Sequence, residues 1–341
     1  MRLRNTIYNM SKFSVIIPVY NRPDEVVELL ESLTRQTAQC DVEVIIVEDG
    51  SKKRCENEVA AFADRLNIVY HYQDNTGPGG ARNTGAKLAS GDYLIFFDSD
   101  AILPDTYFES LIAHLEKEPL DCFGGPDREH EDFTPIQKAI SYSMTSILTT
   151  GGIRGGKKKM DKFYPRSFNL GVRRSVFDNI NGYADMRYGE DVDFSMRVVE
   201  SGCTVGLVPD AYVFHKRRNT FKSFFKQVFC SGTARIALAE RHKGAMKLVH
   251  MLPAAFTLAV PFSILLGIFV WWGFALVVPC YLALIFLHSL ATTKSLHVAV
   301  LSIGTSFIQL FGYGCGFLTA FWKKKVLGQK RYVPFTKTFY E

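Results

Sequence analysis

The stretch Gly91-Asp92-Tyr93-Leu94-Ile95-Phe96-Phe97-Asp98-Ser99-Asp100 decides how the chain is read. A Gly-Asp turn leads into five aromatic and aliphatic residues, which break into two carboxylates one residue apart. A short apolar run bounded by turn residues is the pattern of a strand buried on both faces. Strand side chains alternate, so Asp98 and Asp100 would lean the same way with Ser99 opposite. Side-by-side carboxylates repel unless something positive lies between them. A hard divalent cation, Mg²⁺ or Mn²⁺, gripping a phosphorylated substrate is the usual answer. The ordinary alternative is a strand-end turn in which Asp100 caps a helix opening at Ile102-Leu103-Pro104.

Working outward, Phe13 to Val19 reads as a strand, and Tyr20 to Asp24 as the turn after it. A helix follows from Glu25 to Gln36, with Val26, Leu29, Leu30 and Leu33 at helical spacing. A second buried strand, Val42 to Val47, ends in Glu48-Asp49-Gly50-Ser51. The pattern then predicts a helix from Glu56 to Arg65, a strand from Ile68 to Tyr72 and a helix from Ala81 to Ser90. Strands alternating with helices at this spacing predict a mostly parallel, doubly wound α/β sheet. Ligands of such sheets bind beyond the carboxyl ends of the strands, where Pro18, Asp49 and Asp98 would converge. The turn Asn75-Thr76-Gly77-Pro78-Gly79-Gly80 lacks Gly-x-Gly-x-x-Gly, and Ala86 separates Gly85 from Lys87. Neither a dinucleotide oxidoreductase nor a phosphate-loop ATPase is supported.

The chain has 341 residues, 47% of them hydrophobic, with net charge +6. From Leu252 to Phe321 it holds no Asp or Glu, and Lys294 is its sole Lys or Arg, which marks a membrane region. Met1 to Lys12 is polar and the next apolar run is short, so no signal peptide is expected and the soluble part would stay in the cytoplasm. Seven cysteines without a Cys-x-x-Cys pair argue against a zinc site and fit a reducing compartment. A transporter is disfavoured because the apolar region carries no acid and too few spans.

Four motifs stand in order: Val15-Ile16-Ile17-Pro18-Val19-Tyr20-Asn21-Arg22, Val47-Glu48-Asp49-Gly50-Ser51, Gly77-Pro78-Gly79-Gly80-Ala81-Arg82-Asn83-Thr84-Gly85 and Asp98-Ser99-Asp100. Later come Arg166-Ser167-Phe168-Asn169-Leu170-Gly171, then Gly182-Tyr183, then Gly189-Glu190-Asp191-Val192-Asp193-Phe194. The ordered set, over about residues 13 to 235, resembles the family-two inverting glycosyltransferases. The resemblance implies an A-type glycosyltransferase fold that binds a nucleotide-diphosphate sugar. It also implies that Pro18 and Tyr20 line the base pocket and that Asp49 accepts a hydrogen bond from the base. Arg82 would sit beside the nucleotide, with Ser99 among the donor-binding residues. Asp98 would lie near the ribose and the metal, and Asp100 would be a direct metal ligand.

The chemistry suits those parts. Breaking a sugar–phosphate bond leaves a diphosphate whose growing charge a divalent ion stabilises. An acceptor hydroxyl must lose its proton as it attacks, and a carboxylate is the economical base. Asp191 is the expected base, with Glu190 and Asp193 supporting it or the acceptor; the ordinary alternative is that these acids complement a helix dipole. His215 follows a probable strand. A lone histidine there is usually structural, yet related A-type enzymes place a metal-ligating histidine after the acidic pair. The glycine-rich basic loop Thr149 to Lys159 reads either as an acceptor-side lid or as a mobile surface loop.

Thr220 to Leu248 reads as a helix mixing phenylalanines with lysines and arginines, suited to an anionic membrane surface. Gln227-Val228-Phe229-Cys230-Ser231 stands where processive synthases of the family carry Gln-x-x-Arg-Trp; without the Arg and Trp, one sugar per encounter is expected. The expected organisation is a cytoplasmic catalytic domain over 11–218, a basic interfacial helix region over 219–250, two or three membrane spans over 251–322 and a basic tail over 323–341. Three full spans would put Lys323, Lys324 and Lys325 outside, against the positive-inside bias, so either one segment is interfacial or re-entrant, or the bias does not hold for this chain.

These readings join in a metal-dependent inverting glycosyltransferase of the bacterial inner (cytoplasmic) membrane, passing one sugar to a lipid-linked or surface-glycan acceptor. Anionic lipids are its expected surroundings and no nucleic-acid partner is expected. The alternatives are a polyprenyl-phosphate sugar synthase and a non-catalytic nucleotide-binding membrane scaffold.

Overall fold

The computed structural model describes residues 12–38, 40–128, 133–150, 163–216 and 218–335. Its first elements are β1 (Phe13–Val19), α1 (Pro23–Thr34), β2 (Val42–Asp49), α2 (Glu56–Ala60), β3 (Asn67–Gln73), α3 (Pro78–Leu88), β4 (Tyr93–Phe97), β5 (Ala101–Ile102), α4 (Tyr107–Lys117), β6 (Cys122–Gly124) and β7 (Asp127–Arg128). Then come α5 (Pro135–Thr145), α6 (Ile147–Thr150), β8 (Asn169–Arg173), α7 (Arg174–Asn179), α8 (Glu190–Glu200), β9 (Val205–Leu207) and β10 (Val213–His215). Four long helices follow: α9 (Phe221–Arg241), α10 (Leu252–Phe269), α11 (Val277–Thr293) and α12 (Leu296–Phe321). The described residues form two units, one from 12–128 with 163–215, the other from 133–150 with 216–335.

In the first unit a seven-stranded sheet runs β3-β2-β1-β4-β8-β6-β9. The first four strands are mutually parallel, and β8 lies antiparallel between β4 and β6. The period-two alternation of the strands splits the core cleanly. Phe13, Val15, Ile17, Val44, Ile46, Ile95 and Phe97 pack on one face, under Leu29 and Leu30 of α1 and Phe108 and Leu111 of α4. Ile16, Ile45, Val47, Leu94 and Phe96 pack on the other, under Ala81 and Ala86 of α3, Phe177 of α7 and Phe194 of α8. Both faces are covered, which is why these strands read as unbroken apolar runs. This is the expected A-type architecture, with a reversal of strand order beside β1 that opens a crevice at the ends of β1 and β4.

A second sheet, β5-β10-β7, is small but decisive for the site. Its β5 takes the place of the helix start considered at Ile102-Leu103-Pro104; the helix, α4, begins later, after Thr106. Pairing of β10 with β5 sets His215 opposite Ala101, directly after Asp100. Other boundaries also move. Helix α2 ends at Ala60 rather than Arg65, α3 begins at Pro78 rather than Ala81, and α9 ends at Arg241 rather than Leu248.

In the second unit α5 packs with α9 and α12, although sequence placed 131–158 in the catalytic domain. Its buried Ile140 and Met144 have no covering strand and instead join Phe224 and Val228 of α9 and Ile308 of α12. Three helices there are long and apolar enough to cross a membrane. The expected lid over Thr149 to Lys159 lies outside the described residues from 151 onward, as do Arg217 and the tail beyond 335.

Candidate active site

Strand β4 is fully buried and delivers Asp98 and Asp100 to its carboxyl end, both half-buried, with Ser99 turned inward at 8% exposure. The small sheet brings in the third member. His215 Nε2 lies 3.0 Å from Asp100 Oδ1 and 3.8 Å from Asp98 Oδ2. One ligand atom from each of Asp98, Asp100 and His215 falls within 4.8 Å of the other two. Phe168 stacks on the imidazole, with centroids 5.0 Å apart and planes 11° from parallel, and so fixes its ring. Two carboxylates and one imidazole around a point suit Mn²⁺ or Mg²⁺ better than a soft metal.

Arg82, on the first turns of α3, is 4% exposed and clamps two elements together. Its Nη2 donates to Asp98 Oδ1 at 2.7 Å and its Nη1 to Glu190 Oε1 at 3.1 Å. A buried guanidinium is tolerable because both prongs meet carboxylates. Below it the Tyr183 ring offers its π face at 5.4 Å. Asn83 holds that tyrosine through paired amide bonds, both 2.8 Å, to the Tyr183 backbone N–H and C=O.

Helix α8 opens with the acidic residues. Gly189, at φ +80°, adopts the left-handed conformation that turns the chain into the helix. Asp191 Oδ2 accepts from Arg166 Nε at 2.6 Å and Oδ1 from the Val192 N–H at 2.8 Å. Burial alone would raise the Asp191 carboxyl, but the Arg166 charge and hydrogen bond outweigh it and hold the carboxyl below its ordinary value. Glu190 behaves oppositely: burial first, then the Asp191 charge, push it above its ordinary value against the pull of Arg82. Asp193, one turn in, is fully buried and binds Arg197 at 2.9 Å. Arg197 also holds the Ile180 and Gly182 carbonyls, so Asp193 supports that turn.

The residues expected to line a base pocket lie at the ends of β1 and β2. Pro18 is half-buried opposite Val47, and Tyr20 is half-buried just beyond β1. Asp49 fastens the glycine-rich turn: Oδ1 accepts from Thr76 N (2.8 Å) and Gln73 Nε2 (2.8 Å), and Oδ2 from Gly77 N (2.9 Å). Gly77 sits at φ +84°, a conformation side chains disfavour. Asn21 links the loop after β1 to the loop after β2, its Oδ1 accepting from Lys52 N and Lys53 N at 2.7 and 3.0 Å.

Sequence reasoning did not single out Arg22, Arg166, Phe168 or Tyr183. Arg22 lies 3.6 Å from Asp100, and Arg166 contacts Asp191 across 25 positions of sequence. Their only sequence signal was membership of the quoted motifs.

Two family models match the chain: "Glycosyl transferase family 2" over residues 14–180 and "Glycosyl transferase family group 2" over 165–288. The uncharacterized glycosyltransferase EpsJ of Bacillus subtilis is 28% identical over 215 residues, 61% of this chain and 62% of that protein. The match thus spans less than two thirds of that relative's length. The O-antigen chain rhamnosyltransferase RfbN of Salmonella typhimurium is 27% identical over 235 residues, 65% of this chain and 71% of that protein. Among solved structures, mannosyltransferase PcManGT from Pyrobaculum calidifontis, in complex with GDP-Man and Mn²⁺, superposes with a TM-score of 0.59 at 17% identity, covering 92% of this chain and 88% of that one. At that identity the likeness shows the fold.

Proposed function

From the premise that this chain belongs to glycosyl transferase family 2, we propose that it is a membrane-bound, metal-dependent, inverting glycosyltransferase. It moves one sugar from a nucleotide-diphosphate donor to a lipid-linked or surface-glycan hydroxyl at the cytoplasmic face of a bacterial inner membrane. The observation that carries this reading is the joining of two half-sites by Arg82, which ties the Asp98–Asp100–His215 cluster to the Glu190–Asp191 helix start.

The donor set fits Mn²⁺ or Mg²⁺, which when bound stabilises the charge that gathers on the leaving diphosphate. The rest falls to side chains of this chain. Pro18 and Tyr20 flank the base, and Asp49 accepts a hydrogen bond from it. Ser99, between the two aspartates, lies with the donor residues. Arg22 pairs with Asp100 and Arg82 with Asp98, which holds the two carboxylates in place. Asp191, already ionised against Arg166, takes the acceptor's proton as the hydroxyl attacks from the face opposite the diphosphate. Glu190 holds Arg82 in line. A base held ionised favours a hydroxyl acceptor over a lipid phosphate, which needs no deprotonation. The likeness to RfbN supports a surface glycan as product, and the three apolar helices with their basic flanks support anionic lipid around the enzyme.

The test uses purified protein in lipid with Mn²⁺ or Mg²⁺ and a panel of nucleotide sugars, with and without extracted bacterial lipid, reading nucleoside diphosphate release. Metal-dependent turnover of one donor is expected, falling at least about a hundredfold in Asp100→Ala and Asp191→Asn. Nucleotide binding without turnover of any donor, acceptors included, would favour the scaffold alternative.

A further inference from the structure

The second unit contains three apolar helices, but they are not equivalent. Helix α10 and the segment 272–293 are largely uncovered by the rest of the protein, whereas α12 is covered much more extensively. From Leu252 to Thr293 there is no Asp, Glu, Lys or Arg. Helix α10, at about 1.5 Å per residue, is about 27 Å long, close to the roughly 30 Å of a hydrocarbon core. It turns back into α11 through Val270-Trp271-Trp272-Gly273-Phe274, where Trp271 and Trp272 are 58% and 66% exposed. Indole rings prefer the membrane–water boundary, so a tryptophan-tipped hairpin places its turn at a far interface.

Helix α12 is different. None of its residues from 301 to 320 is exposed. Helix α9 runs beside it in the same direction. Phe221 faces Gly304, Phe225 and Val228 face Gly312, and a Cβ on Gly232 would run into the Tyr313 carbonyl. Farther on, Ile236 packs with Phe317 and Ala320, and Glu240 pairs with Lys324 and, at 3.0 Å, with Lys325. The two helices therefore share one disposition toward the membrane. Helix α9 carries Lys222, Lys226, Arg235, Glu240 and Arg241 along its whole length. Charges so distributed do not fit a hydrocarbon span, whereas they suit a headgroup layer.

We propose that the unit crosses the bilayer twice, as the α10–α11 hairpin, while α9 and α12 lie together at the entry face. The chain thus returns Lys323, Lys324 and Lys325 to the side of Lys222. The partner of the hairpin is the lipid interior, and that of the α9–α12 pair is the anionic headgroup layer. All Lys and Arg that flank the crossings then share one side, as the positive-inside bias requires. The inference rests on the membrane attachment proposed above and is independent of the transferase chemistry.

Alkaline carbonate washing of membranes tests the attachment by itself. Retention of the wild-type chain is expected, and its release overturns the proposal. Topology is then read with a membrane-impermeant maleimide on sealed right-side-out and inverted vesicles, against the labelling of the unsubstituted chain. Lys222→Cys and Lys330→Cys should react from the same face and Phe274→Cys from the opposite one. Reaction of Lys330→Cys from the face opposite Lys222→Cys, or of Phe274→Cys from the same face, overturns the arrangement. Protease access to a C-terminal epitope on the otherwise native chain gives the side of the tail without any substitution, and a tag on the far side overturns it as well.

Discussion

Arg166 is the residue on which the proposed base depends. Its Nε lies 2.6 Å from Asp191 Oδ2, and it opposes the burial that would otherwise raise that carboxyl. A base works only while ionised, so activity is lost as pH falls through its pKa. With Arg166 present, that loss falls below the ordinary carboxylate range. In Arg166→Gln the burial remains and the largest opposing charge is gone, with Arg82 and the Val192 N–H left to oppose it, so the acidic limb of the kcat/KM profile should move upward. Each unit of movement is about tenfold in the ionised fraction at a fixed pH below the limb. The variant is expected to be most impaired near pH 6 and to recover toward pH 8, with Arg166→Lys intermediate. A uniform loss at every pH would mean that Arg166 acts on substrate directly and not through Asp191.

At the scale of elements, the strands that build the site were legible and the pieces that complete it were not. Strands β1, β2 and β4 declared themselves because both sheet faces are covered, giving unbroken apolar runs. Strand β10 is three residues long, and its role arises from pairing with β5 over 100 positions away, which local pattern does not encode. Hence local pattern left His215 open, and its grouping with Asp98 and Asp100 arises only through that pairing. Polar anchors were hidden for the same reason. Glu43, at the start of β2, accepts from Ser14 Oγ (2.6 Å), Ser90 N (2.6 Å) and Ser90 Oγ (2.9 Å), and pairs with Lys12 (3.3 Å). Burial opposes its ionisation, but these bonds, led by Ser14, hold it down at about 2. A carboxyl depressed on folding contributes stability above its unfolded pKa of about 4.3 and loses it as pH falls toward the folded value. A depression of that size is worth about 3 kcal/mol. Comparing thermal melts of wild type and Glu43→Gln in detergent should therefore show a stability difference that is widest above pH 5 and narrows by about that amount toward pH 2. A difference independent of pH would assign Glu43 a packing role alone.

At the scale of the whole molecule, the boundary between the units does not follow the sequence. An α/β domain ending near residue 218 is the natural reading, because the basic helix and the apolar segments begin there. The structure instead assigns α5 to the helical unit, where Thr305 Oγ1 donates to the Ala139 carbonyl at 2.9 Å and Tyr142 Oη meets His288 Nδ1 at 2.7 Å. Ile140 is fully buried and Met144 5% exposed, against Phe224, Val228 and Ile308. A chain cut after residue 218 would leave that apolar face in water, losing on the order of 2 kcal/mol of burial for each large side chain and exposing a patch that invites association. Such a truncation should express as aggregate or as soluble oligomer in size-exclusion chromatography, even though the sheet and the Asp98–Asp100–His215 cluster lie wholly in the retained unit. Adding Ile140→Lys and Met144→Lys to the truncated chain should recover a monomer, and that monomer should still gain thermal stability with Mn²⁺ by mass action on the folded state. Recovery of a monomer without any response to Mn²⁺ would place the fault in the metal site. A truncated chain that is monomeric with α5 unaltered would mean that the catalytic unit, and not the membrane helices, provides the cover for α5.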